Sequence, residues 1–231
     1  MVIWLAVDTM VMVAATLGEA DRLWDRWQTF DSTEPPTRFI PRAAHDEFSA
    51  LVEGIGSARP GIHEEIISDA SIAIIRAAPD EPNEADLSAM GLDGTRLERI
   101  RRLLPILAQT IDGGWDSIGA LDALRKYESD FARRKRDFLA RHFVFTPVDE
   151  ARWTRLSNDI LALIPAGGAS WRNDCRILAQ AAMHIVESDR ATSFITEDRR
   201  HMARSHCRRI LGMTGLTEIR DLIGDPLCQA P

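Results

Sequence analysis

Three aspartates occupy comparable positions along the chain. Asp8 ends the apolar run Val2–Val7, Asp198 follows Phe194-Ile195-Thr196-Glu197, and Asp174 stands behind Asn173 where a helical pattern opens. Asp8 and Asp198 would each lie just past the carboxyl end of a strand, where ligands enter open α/β sheets. Taken singly, each acid serves as a helix cap, since carboxylates there satisfy orphan N–H groups and suit the helix dipole. Taken together they call for a cation, because like-charged carboxylates packed side by side are costly without one. Carboxylate oxygens suit Mg²⁺ or Mn²⁺. Such a metal activates water and stabilises charge in phosphodiester hydrolysis. A basic helix follows Asp198, with Arg199, Arg200, Arg204, Arg208 and Arg209 and no acid over 199–209. Its first arginines, Arg199 and Arg200, are candidates for phosphate contacts, and a solvated face is the equal alternative.

The elements that must position these groups read as alternating strands and helices. Val2–Val7 is a continuous apolar run, as in a strand buried on both faces of a parallel sheet. Met10–Trp27 carries apolar residues at helical spacing and predicts one helix. Phe30–Pro36 reads as a loop, Thr37–Ile40 as a second strand and Arg42–Gly54 as a helix behind Pro41. His63–Ala77 is helical again. From Ala78 the strand signal stops, and Glu84–Met90, Gly94–Ile111 and Asp116–His142 read as helices. Sheet character returns at Phe143–Thr146, with a helix over Asp149–Ile164 and another from Asn173 to about Glu187. A buried strand over 192–196, a basic helix over 199–211 and a short edge strand over Gly215–Ile219 complete the pattern. This alternation predicts an α/β fold with a parallel, doubly wound sheet. Residues 1–77 and 142–231 form the sheet domain, and 78–141 form an all-helical insertion within it.

Composition sets the class. Of 231 residues, 45% are hydrophobic and 27% charged, as in a soluble globular chain. Cys175, Cys207 and Cys228 form no CxxC pair, which argues against a zinc site or disulfide scaffold and for a reducing, cytoplasmic setting. The apolar amino-terminal stretch has no preceding Lys or Arg, is interrupted by Asp8 and is too short to span a bilayer, so no membrane role is expected. The net charge of −7 does not announce a nucleic-acid binder, although a carboxylate site would itself contribute negative charge. The six histidines show no metal-ligand spacing, and His184, on a mostly apolar helix, reads as a core residue.

In order and local pattern the chain resembles the PIN-domain nucleases. The resemblance rests on Val7-Asp8-Thr9, on Ile40-Pro41 leading to Asp46-Glu47-Phe48, on Asn173-Asp174 before Ile177-Leu178-Ala179, and on Ile195-Thr196-Glu197-Asp198. It covers about 1–76 and 143–223; the middle segment does not match. The resemblance implies a PIN-like three-layer α/β fold, with a central parallel sheet flanked by helices. It implies that Asp8, Glu47, Asp174 and Asp198 bind one or two Mg²⁺ or Mn²⁺ ions, with Thr196 orienting an acid or water. Asp46 and Glu53 are neighbouring alternatives to Glu47. The function implied is metal-dependent endoribonuclease activity on an RNA substrate. A toxin of a toxin–antitoxin pair, with an antitoxin partner, is one form of that function, and the helical insertion suits a homodimer or substrate selection. The alternative is a non-catalytic PIN-fold scaffold for binding or assembly. A phosphatase or dehalogenase with Asp8 as nucleophile is a third reading, disfavoured by Met10 two residues on.

Overall fold

The computed structural model describes residues 3–33, 37–55, 59–163, 171–197, 204–222 and 226–229. Its elements run β1 (Trp4–Val7), α1 (Thr9–Leu17), a 3-10 turn (Gly18–Ala20), α2 (Trp24–Thr33), β2 (Arg38–Pro41), α3 (Arg42–Val52), α4 (Ile62–Ala77) and α5 (Glu84–Ser88). They continue as α6 (Gly94–Gln109), α7 (Ser117–Arg141), β3 (Phe143–Phe145), α8 (Glu150–Ala162), α9 (Arg172–Ser188), β4 (Thr192–Ile195), α10 (Arg204–Thr214), β5 (Glu218–Arg220) and β6 (Pro226–Gln229). The chain forms two compact units. One comprises Met1–Met12, Arg26–Phe48 and Leu139–Pro231; the other comprises Val13–Asp25 and Ser49–Phe138.

The first unit is α/β. Its six-stranded sheet has the order β3-β2-β1-β4-β5-β6 and is flanked by helices. β1 to β5 pair in parallel, and β6 runs antiparallel to β5, so the sheet is mixed where the sequence predicts a parallel one. The short link over 221–225 explains the reversal. A parallel return needs a crossover of roughly a dozen residues or more, whereas an antiparallel one needs only a turn. From β1 the chain builds outward through β2 to β3, then returns to the other side of β1 for β4 and β5. The direction of building therefore reverses between β1 and β4, the topological switch point.

Burial explains why these strands lack alternation. Leu5, Ala6, Val7, Phe39, Ile40, Phe194 and Ile195 are all buried, and the polar residues of β2 and β4, Arg38, Thr192 and Ser193, are buried with them, so neither face alternates with solvent. Each large side chain removed from water in this way contributes about 1.5–3 kcal/mol. The edge strand β3 is looser, with Phe143 exposed. α9 packs on β2 and β4, and its His184 lies in the core. The His184 ring stacks on Phe39 at 4.2 Å and lies 5.2 Å from Trp4, while Nδ1 meets the Thr192 hydroxyl at 3.1 Å. Burial pulls the His184 pKa down to about 4.

The helix expected over Met10–Trp27 is broken. Gly18 adopts φ +66°, a conformation that ends α1, and the Asp21 carboxylate accepts the Leu23 N–H to start a new turn. α2 then runs to Thr33, through residues expected to be a loop, because Trp27 and Phe30 form one buried stripe.

The second unit is helical. α4 packs on α6 and α5, and the Gly18–Ala20 turn packs on α6. Arg96 clamps the buried Asp69 with bonds of 2.9 and 2.7 Å. The terminal carbonyls of α1 find side-chain donors on α7. Leu17 O accepts from the Tyr127 hydroxyl at 2.8 Å, and Thr16 O accepts from Arg134 Nε at 2.9 Å. A side chain at position 18 would meet the Arg134 guanidinium at 2.9 Å. The segment 78–141 is helical, holding α5, α6 and α7, and the compact unit also takes in 13–25 and 49–77. Among the described residues no helix is long and apolar enough to cross a membrane. Cys175, Cys207 and Cys228 are buried free thiols.

Candidate functional site

The site is built where β1 and β4 end. Their register sets Val7 beside Ile195, so Asp8 and Thr196 leave the sheet side by side. The Asp8 N–H bonds Ile195 O at 3.1 Å, and the Thr196 N–H bonds Arg220 O at 3.0 Å. Two donors hold the Asp8 carboxylate. The Thr9 N–H donates to Oδ1 and the Thr196 hydroxyl donates to Oδ2, each at 2.7 Å. Asp8 is thus a helix-start residue by position, its carbonyl accepting from Val11 and Met12 N–H, while its carboxylate also bridges the two strand ends.

Glu47 reaches this place from α3. The Thr9 hydroxyl donates to Glu47 Oε2 at 2.7 Å, next to the Asp8 backbone. Gln180 on α9 accepts the Ala43 N–H at 2.7 Å and so fixes the first turn of α3. The two alternatives to Glu47 point elsewhere: Asp46 pairs with Arg42 at 2.8 Å, and Glu53 pairs with Lys135. Asp174 lies in the first turn of α9, as the sequence predicts.

Electrostatics ties the acids together. The Asp8 pKa is raised from 3.8 to about 7, first by burial, then opposed by the Thr196 hydroxyl, and raised again by the charges of Asp174 and Glu47. Asp8 is therefore poised between its two protonation states near neutral pH, and a cation beside it would restore the carboxylate. Oxygen donors of this type suit a hard divalent ion. Among the described residues, however, no group of three or more His, Cys, Asp or Glu side chains is arranged to hold a metal ion. Asp198, Arg199 and Arg200 lie outside the described residues.

The structure adds one residue that sequence reasoning passed over. Glu197 is nearly buried and both its oxygens are engaged, one by Arg26 and one by the Leu222 N–H, each at 3.0 Å. An acid beside an acid carries no sequence signal of its own; its burial follows from the strand register. Comparison with protein-family models, curated proteins and solved structures gave no match to the chain.

Proposed function

We propose that the chain is a metal-dependent phosphodiesterase of PIN type that cleaves RNA with Mg²⁺ or Mn²⁺. One observation carries this reading: the Thr196 hydroxyl holds the Asp8 carboxylate at the switch point of the sheet, with Asp174 and Glu47 both acting on its charge. The mixed sheet flanked by helices is compatible with a PIN-like three-layer fold. Asp8, Glu47, Asp174 and, beyond the described residues, Asp198 would hold the ion. A divalent cation there lowers the pKa of bound water and offsets charge developing on a phosphodiester. The chain's own part is orientation. Thr9 and Thr196 fix the two oxygens of Asp8, and the Thr9 hydroxyl fixes Glu47. Arg199 and Arg200, next along the chain, are the proposed phosphate contacts.

The test is Asp8→Asn, which keeps shape and removes an anionic ligand. It abolishes Mn²⁺-dependent RNA cleavage while the circular dichroism spectrum is retained, and EDTA does the same to the unsubstituted protein. If the protein with Mn²⁺ cleaves neither single-stranded nor structured RNA, and Asp8→Asn alters no activity, the enzyme reading falls. The scaffold reading then stands.

A further inference from the structure

We infer that Glu197 is a positioning residue that holds the Thr196 hydroxyl on Asp8. Its bearing on catalysis rests on the nuclease reading; its bearing on the strand end does not. A glutamate side chain only 6% exposed is uncommon unless paired. Glu197 is paired twice. Oε2 accepts from Arg26 Nη1 on α2, and Oε1 accepts from the Leu222 N–H just past β5, each at 3.0 Å. The backbone ladder from β4 to β5 reaches the Thr196–Arg220 bond of 3.0 Å, and the Glu197 carboxylate continues that contact to Leu222. The chain leaving β4 is thereby anchored to α2 on one side and to the end of β5 on the other. Thr196, one residue back, is 1% exposed and has its hydroxyl 2.7 Å from Asp8 Oδ2. Bonds to an ionised carboxylate are stronger than neutral ones, so these two anchors are well placed to fix a strand end that carries no long ladder of its own. Each Glu197 oxygen thus has a partner that ties the strand end to a neighbouring element.

Three variants separate the contributions. Glu197→Ala removes both anchors. Glu197→Gln keeps an acceptor for Leu222 but turns a donor toward Arg26. Arg26→Met removes one partner on a half-exposed helix surface. Amide hydrogen exchange is measured in the metal-free full chain, and Mn²⁺-dependent RNA cleavage is measured alongside. Glu197→Ala is expected to speed exchange at Thr196 and Leu222 by about tenfold or more, with Glu197→Gln and Arg26→Met smaller and the Ile40 amide in β2 unchanged. In cleavage, kcat falls about tenfold while KM stays within about threefold, as expected when orientation rather than binding is lost. Unchanged exchange at Thr196 in a folded Glu197→Ala protein overturns the inference. If that variant does not fold, Arg26→Met decides: faster exchange at Thr196 and Leu222 upholds it, and unchanged exchange overturns it. A protein that never cleaves RNA removes the nuclease reading alone, because exchange still decides the role of Glu197.

Discussion

Replacing Asp8 by Asn is expected to stabilise the metal-free protein at neutral pH relative to acid pH. In the unfolded chain Asp8 ionises near pH 4. In the folded chain its pKa is raised to about 7, chiefly by burial, with Asp174 and Glu47 adding to the rise. Between these limits the folded chain holds a proton that the unfolded chain has released. The contribution of Asp8 to stability is therefore greatest below pH 4, declines through the window and is lowest above pH 7. A rise from 3.8 to about 7 corresponds to on the order of 4 kcal/mol, of which roughly 2–3 kcal/mol falls between pH 5 and pH 8. Asparagine can keep both local bonds: its oxygen accepts from Thr9 N–H, and its amide donates to the Thr196 hydroxyl oxygen. His184 acts in the opposite sense. Its folded pKa of about 4 lies below the ordinary 6.5, so its contribution is full above pH 6.5 and is lost as pH falls toward 4. The two contributions oppose each other in the unsubstituted protein, so only the difference between it and the variant isolates Asp8. Urea unfolding in EDTA at pH 5 and pH 8 gives that difference. The variant gains roughly 2–3 kcal/mol on the parent between the two pH values. A difference constant to within about 0.5 kcal/mol, or larger at pH 5, refutes the placement of Asp8 as a buried acid among other acids.

Two substitutions probe the surroundings. Thr196→Val removes the hydroxyl bond to Asp8 at constant shape, and Mn²⁺-dependent cleavage is expected to fall by about 10- to 100-fold with the melting temperature little changed; steady-state rates across a Mn²⁺ titration read this, and a full rate at all concentrations counts against it. Tyr127→Phe removes the donor to Leu17 O and is expected to cost about 1 kcal/mol in urea unfolding; a variant as stable as the parent shows that Arg134 alone suffices to cap α1.

Much of the sheet is legible in the sequence because its inner strands are buried on both faces. Val2–Val7, Thr37–Ile40, Phe143–Thr146 and the run ending at Thr196 each stand out as apolar segments, and the observed strands fall within a residue or two of them. β6 is not legible: Pro226-Leu227-Cys228-Gln229 is short, and only its proximity to β5 makes it a strand. The break at Gly18 is hidden because Leu17, Ala20 and Leu23 keep helical spacing across it. At the site, the meeting of Asp8 with the end of β4 follows from two strands ending in polar residues. The bond from Thr9 to Glu47 depends on how α3 approaches α1, and the anchoring of Glu197 depends on how far β5 extends beyond β4. Neither leaves a pattern in a single chain. Asp198, Arg199 and Arg200, which the sequence reading weighs heavily, lie outside the described residues.

The pairing of β1 with β4 also has a consequence for the order of assembly. Asp8 and Thr196 are bonded across a separation of 188 residues. At a synthesis rate of about 5–20 residues per second, β1 leaves the ribosome roughly 10–40 s before the strand that completes its site. Through that interval Asp8 has its neighbour Thr9 but lacks the hydroxyl that orients its second oxygen. Contacts so distant in sequence form late, after the closure of large loops has been offset by other packing. The Asp8 carboxylate therefore gains its second donor only when the fourth strand has been made and docks beside the first.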